Sequence, residues 1–336
     1  MSRKILEYAK LLTFHQWGVS CLTGVYGALS AGEFDFLPLF LLALTGVCFT
    51  VYGAVLNDYV DVDVDKMSKD LQDRPLVKGS ILRKNALYIS ISAPVIAYLI
   101  FFIGMYLDVF IFDIFSLMVI TLGVFFGAVY NFFGKKIIGS DIFVAFASSF
   151  FCLFGAMLVS NTISNLTIVI VCLVFLQIFY MNSVIGGLKD ADHDYKMKTK
   201  NIAYAMGVKI NKKVIIPISF KIFGLLFRIS SAIILFLPVL FFRDFPYLIW
   251  QPVLMLVMLI AIFYITIKML TIKKFDRNQF RKLISAQTFL RYAIVPVMLL
   301  SFIGIRFFLF LIIFPILWYA IFNKIIYGNL FQPKRM

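Results

Sequence analysis

Residues 36–65 read FLPLFLLALTGVCFTVYGAVLNDYVDVDVD. The stretch opens as an apolar block over 36–57, about the 20 residues needed to cross a bilayer core. It ends in acid. Four of the chain's 17 acidic residues, Asp58, Asp61, Asp63 and Asp65, fall directly behind that block. If the helix continues past the block, Asn57, Asp61 and Asp65 stand at i, i+4 and i+8 on one face, and Asp63 points elsewhere. Ionisable groups beside a membrane span are expensive and are usually retained for function. A row of like charges on a helix is unfavourable unless a cation compensates it. A calcium-loop reading fails. Asp61, Asp63 and Asp65 match its first three positions, but Lys66 stands where the turn needs Gly and Gln72 where a bidentate Glu belongs.

The rest of the chain repeats the apolar part of this pattern. Of the 336 residues, 62% are hydrophobic and 39 are Phe, with a mean hydropathy of +0.95. Apolar blocks fall at 11–32, 36–57, 85–106, 109–131, 141–161, 165–187, 215–240, 247–270, 286–304 and 307–326. The expected fold class is therefore all-α: a polytopic transmembrane helical bundle of nine to ten spans, forming a single domain over 1–336. The last two blocks are separated only by Gly304, Ile305 and Arg306, so they are either one broken unit or two spans, with 307–326 an extra C-terminal span. The net charge is +15. Its Lys and Arg residues sit in alternate loops, which marks those loops and the N-terminus as cytoplasmic and argues against nucleic acid as a partner. The expected location is the cytoplasmic membrane, with the acidic stretch facing the cytoplasm. Cys21, Cys48, Cys152 and Cys172 all lie inside apolar blocks without a CxxC pair, which disfavours a disulfide framework or a zinc site. The opening residues show no small-residue cleavage site after a short apolar core, so no cleaved signal peptide is expected.

A second acidic cluster, Lys189-Asp190-Ala191-Asp192-His193-Asp194, follows the sixth block. Asp190 and Asp194 share a helix face and Asp192 does not. Carboxylate oxygens without Cys suit Mg2+, which prefers to share its coordination shell with phosphate oxygens. Two such clusters at cytoplasmic span ends would hold Mg2+ around a diphosphate. Arg74, Lys78, Lys135 and Lys189 lie close by in sequence and carry the charge to take the remaining phosphate oxygens. His193 is read as surface. His15, beside Gln16 and Trp17, either faces a cavity or anchors at the interface.

The pair Asn57-Asp58-x-x-Asp61-x-x-x-Asp65 and Asp190-x-x-x-Asp194 resembles the motif pair of the UbiA superfamily of intramembrane prenyltransferases, in order, separation and position after the second and sixth spans. Arg74-Pro75, Tyr130, Lys135, Lys189 and Thr199 extend the likeness. The resemblance implies nine helices around a central cavity capped by the two motif loops. It implies a Mg2+-dependent prenyltransferase acting on a polyprenyl diphosphate of geranylgeranyl length or longer. The acceptor would be lipophilic: an aromatic compound or a glycerol-phosphate lipid. Asn57, Asp61, Asp65, Asp190 and Asp194 would hold metal as catalytic ligands, with Asp58 binding metal through water or ordering the loop. Arg74, Lys135 and Lys189 would bind diphosphate, and the Tyr130 ring beside them would steady a cation. The rival reading is a cation-coupled transporter using intramembrane Asp residues. It is disfavoured because transporter sites lie at mid-membrane on interrupted helices.

Overall fold

The computed structural model describes residues 3–67, 71–134, 136–191, 199–210, 214–273 and 276–330. Lys135, Asp192, His193 and Asp194 lie outside the described residues. The elements, in chain order, are α1 (Arg3–Leu11), α2 (Trp17–Ser20), α3 (Leu22–Ser30), α4 (Phe36–Asp65), α5 (Arg83–Tyr106), α6 (Ile114–Phe133), α7 (Asp141–Met157), α8 (Asn165–Tyr180), a π-helical segment (Met181–Gly186), α9 (Gly187–Lys189), α10 (Ile202–Ala205), α11 (Ile218–Phe241), α12 (Trp250–Leu270) and α13 (Arg277–Tyr327). A two-stranded antiparallel ribbon, β1 (Lys209–Ile210) and β2 (Val214–Ile215), pairs Lys209 with Ile215.

Among the described residues, seven helical segments are long and apolar enough to cross a membrane. This tally differs from the nine to ten spans expected from sequence at three places. The block at 11–32 is broken: Thr13 takes a left-handed conformation (φ 47°), and only short helical pieces follow. The block at 141–161 yields a helix of 17 residues, at the short end of the spanning range. The blocks at 286–304 and 307–326 are two helices that meet at a kink at non-helical Gly304 (φ 76°, ψ 165°) and are counted together as α13. That backbone is open to glycine and strained for any other residue.

The chain divides into two compact units. The first comprises Met1–Phe132, Ser149–Thr167 and Phe314–Arg335; the second comprises Phe133–Ser148 and Ile168–Ile313, with Met336. In the first unit α4 makes its most extensive pairing with α5 and also packs on α3. The core here includes Leu11, Tyr52, Val55, Val62, Leu76 and Ala86. Small residues let the backbones touch, as is common between helices in lipid. A Cβ on Gly27 would overlap the Cys152 carbonyl oxygen, and one on Gly155 would overlap the carbonyl of Gly24. Trp318 donates its indole N–H to the Phe14 carbonyl at 2.8 Å. His15 is buried in this unit between the Tyr319 and Tyr327 rings, with centroids at 5.8 and 5.2 Å. Its place is thus a packed aromatic cluster.

In the second unit Tyr180, Val184, Leu188, Phe220, Met269 and Phe280 form the core. Polar ties join its helices: the Gln251 amide donates to the Val297 carbonyl at 2.7 Å, and that of Gln287 to the Thr266 hydroxyl at 2.7 Å.

Candidate active site

The first acidic stretch is carried on α4. Its 30 residues rise about 1.5 Å each, giving about 45 Å, some 15 Å more than the hydrocarbon core. Pro38 sits in the first turn, where its missing N–H costs nothing. No Gly or Pro follows Val55, so the helix runs unbroken through Asp65. The surplus length is the acidic end. Asp58, Asp61 and Asp65 are buried, Asn57 is half-buried, and Asp63 is exposed. This is the face division expected from the i, i+4, i+8 spacing. The uninterrupted helix, with its acids confined to one end, is also unlike the broken mid-membrane helices of transporters.

Asp63 faces outward to Lys66 (3.3 Å) and Arg83 (3.0 Å). On the inward side Arg74 returns from the following loop. Its Nη1 donates to Asp58 at 2.9 Å and also to Asp65. Burial opposes the Arg74 charge, but Asp58, Asp65 and Asp61 outweigh it and raise the guanidinium above its ordinary range. Arg74 is therefore a compensating cation for this row of carboxylates in the structure. Asp58, read from sequence as an indirect ligand or a loop-ordering group, is one of its two direct partners. The Gln72 amide donates to the Lys66 carbonyl at 2.7 Å, closing the helix end and turning the loop back.

That loop is pinned from its other side. Glu7, on α1, accepts from Lys10 at 2.9 Å, Lys78 at 2.8 Å and the Ser80 hydroxyl at 2.9 Å. Lys78 is thus engaged with Glu7. Burial would raise the Glu7 carboxyl, but Lys78, Lys10 and Ser80 together hold it down at about 2.

Tyr130 lies near the end of α6 and is half-buried. Lys189 and Asp190 belong to the second unit and pair with each other at 3.3 Å, with Asp190 about half exposed. They follow the π-helical segment at Met181–Gly186. Such widened turns recur at functional sites. Nothing in the periodicity of the apolar block announces it, because its composition is as apolar as that of a regular helix.

Among the described residues no three His, Cys, Asp or Glu side chains are grouped closely enough to hold a metal ion. The donor chemistry nevertheless fits one. Three carboxylates occupy one helix face, and a single Arg side chain balances two of them. Hard oxygen donors of this kind suit Mg2+ rather than zinc.

An apolar helical chain that carries buried carboxylates at the end of a span, balanced by a loop arginine, defines an integral membrane protein with a polar site at a span end. A model of the UbiA prenyltransferase family matches residues 18–268, and the chain belongs to that family. It is 27% identical over 197 residues to a digeranylgeranylglyceryl phosphate synthase of Methanococcus aeolicus, covering 58% of this chain and 66% of that one. A shorter stretch is 34% identical over 74 residues to a protoheme IX farnesyltransferase of Protochlamydia amoebophila, covering 22% and 26%. The chain thus spans less than two thirds of the length of these curated relatives. The fold is shared with a UbiA homolog from Archaeoglobus fulgidus bound to GPP and Mg2+, with a TM-score of 0.59 and 16% identity, over 86% of this chain and 99% of that one.

Proposed function

We propose that this protein is a Mg2+-dependent intramembrane prenyltransferase. It moves a polyprenyl group, of geranylgeranyl length or longer, from its allylic diphosphate to a lipophilic acceptor that is an aromatic compound or a glycerol-phosphate lipid. The whole chain, 1–336, acts as one catalytic domain, with 307–326 an added C-terminal span and the site open to the cytoplasm.

The observation that carries this reading is the burial of Asp58, Asp61 and Asp65 on one face of α4, with Arg74 set against them. Asn57, Asp58, Asp61, Asp65, Asp190 and Asp194 would hold Mg2+. Bound there, the metal supplies positive charge that stabilises a departing diphosphate. Arg74 leaves its carboxylates and, with Lys135 and Lys189, donates to phosphate oxygens. Tyr130 presents a ring face to the allylic cation left behind. The surrounding apolar side chains exclude water that would otherwise capture that cation. The acceptor oxygen or ring carbon then forms the new bond and releases its proton.

Support comes from the family match and from the relatives named above, one of which is a digeranylgeranylglyceryl phosphate synthase and one of which is bound to GPP and Mg2+. The test is to incubate the purified protein with Mg2+, labelled geranylgeranyl diphosphate and a panel of phenolic and glycerol-phosphate acceptors, then weigh the products. A prenylated acceptor that disappears in excess chelator and returns with Mg2+ is expected. Full turnover in chelator would overturn the mechanism.

A further inference from the structure

Among the nine residues of α1, RKILEYAKL, the one acid is Glu7. It is 5% exposed. Leu11, one turn on, shares its helix face and is buried. In the same core Leu11 joins Leu76 and Ile81 of the loop that follows α4. These apolar contacts already hold α1 to the loop. Compared with an apolar replacement, a buried ion pair adds little net stability, because desolvation offsets its attraction. Buried pairs are better attested as devices that fix one conformation or register.

The two oxygens of Glu7 have different partners. Oε1 accepts from Lys10, on the same helix, at 2.9 Å. Oε2 accepts from the Lys78 ammonium at 2.8 Å and from the Ser80 hydroxyl at 2.9 Å, both in the loop. Gly79 stands between those two with φ 73°, a left-handed backbone that glycine adopts without strain. That reversal of the chain brings Lys78 and Ser80 to a single oxygen.

Lys78 and Ser80 are tied in turn to Arg74 and Pro75. The Lys78 N–H donates to the Arg74 carbonyl at 3.0 Å, and the Ile81 N–H to the Pro75 carbonyl at 3.3 Å. The Ser80 hydroxyl also lies 3.1 Å from the Pro75 carbonyl. The Arg74 N–H donates to the Leu71 carbonyl at 3.0 Å. Both backbone polar groups of Arg74 are thus engaged inside the turn, and Pro75 behind it has a fixed φ. From this anchored backbone the guanidinium reaches Asp58 at 2.9 Å and also Asp65. A continuous run of hydrogen bonds therefore leads from Glu7 to the main chain of Arg74.

We propose that Glu7 is a positioning residue for Arg74. Through Lys78 and Ser80 it holds the turn in one conformation, so that the guanidinium is aimed at the carboxylates of α4 and, once metal takes those, at a phosphate oxygen. The aim at phosphate rests on the prenyl-transfer reading; the hold on the turn stands on the contacts of the first unit. A long side chain that swings between two acceptors keeps its precision only if its supporting contacts are fixed. Lys78 belongs to this clamp, since its ammonium faces Glu7.

The probe is geranylgeranyl diphosphate with Mg2+, titrated calorimetrically into the purified full-length protein in a nonionic detergent. Glu7→Gln should weaken its binding about tenfold, the weight of one charge-assisted hydrogen bond. Lys10→Met, which removes the partner of Oε1, should bind as the parent does; an equal loss there overturns the assignment to the loop contacts. In an Arg74→Met background Glu7→Gln should cost no further affinity, because its effect passes through Arg74. A further loss overturns the proposal, since a carboxylate that merely stabilises the fold acts whatever stands at position 74. Lys78→Met should likewise add nothing to Glu7→Gln; an additional loss would put Lys78 on the phosphate and remove it from the clamp. Should Glu7→Gln not fold, Ser80→Ala takes its place in the same cycle, with a smaller loss. Hydrogen exchange without ligand, read by mass spectrometry, is the second measurement. Exchange across 74–81 should be faster in Glu7→Gln or Ser80→Ala than in the parent, and equal exchange overturns the clamp. A parent that binds no geranylgeranyl diphosphate refutes the prenyl-transfer reading, and exchange alone then decides the clamp.

Discussion

Replacing Arg74 with Met should destabilise the protein in chelator and do so much less in millimolar Mg2+. Arg74 bonds Asp58 at 2.9 Å and also Asp65, and both acids are buried. Removing one partner of a buried ion pair costs about 3–5 kcal/mol because the other charge is left uncompensated. The Arg74 side chain is 21% exposed, so water recovers part of that loss and about 2–3 kcal/mol is expected. Three carboxylates, Asp58, Asp61 and Asp65, would then repel one another on one helix face. A divalent cation binding the native face but not the unfolded chain restores stability by mass action. The assay is thermal unfolding in detergent for the parent, Arg74→Met and Asp63→Asn, each in chelator and over a Mg2+ series. Arg74→Met should melt several degrees low in chelator and rise toward the parent as Mg2+ increases, while exposed Asp63→Asn tracks the parent throughout. If Arg74→Met melts with the parent in chelator, Arg74 is not the compensating cation. If Mg2+ leaves it low, the carboxylate face does not take the metal.

Among the six acids of the two motifs, Asp61→Asn, Asp65→Asn, Asp190→Asn and Asp194→Asn should each lose most product formation at saturating Mg2+, whereas Asp63→Asn and Asp192→Asn keep most of theirs; equal loss in all six would show the face assignment to be wrong. Because the folded Glu7 carboxyl is lowered from 4.5 to about 2, its stabilising contribution is complete above about pH 4.5 and is lost as pH falls toward 2. Acid unfolding followed by circular dichroism should therefore be shallower in that window for Glu7→Gln than for the parent, and an identical slope would count against the Glu7 cluster. Gly155→Ala places a methyl against the Gly24 carbonyl and should cost at least about 1–3 kcal/mol, read as a lower midpoint in the same melting assay; an unchanged midpoint would mean that the helices there are not in backbone contact.

The sequence alone determined that this is a membrane helical protein, because runs of about 20 apolar residues have few other uses. It also determined which acids of the first motif share a face. Once the helix runs on, the 100° step per residue makes Asp61 and Asp65 neighbours and sends Asp63 away. Burial of the first two and exposure of the third follow from that geometry. Span counting was less legible. Thr13 and Gly304 break the backbone, and hydropathy is blind to backbone angles. Only the tertiary structure decided the partners. Arg74 meets Asp58 and Asp65 because the loop folds back on the end of α4, and Lys78 is turned to Glu7 by the same loop. The burial of Arg228 and Arg291 had a visible trace, an arginine inside an apolar block. Which side of each helix faces protein was not visible, since in lipid the inward and outward faces are equally apolar. The packing of α11 against Tyr180 makes that choice for Arg228, whose guanidinium lies 3.5 Å from the ring centroid.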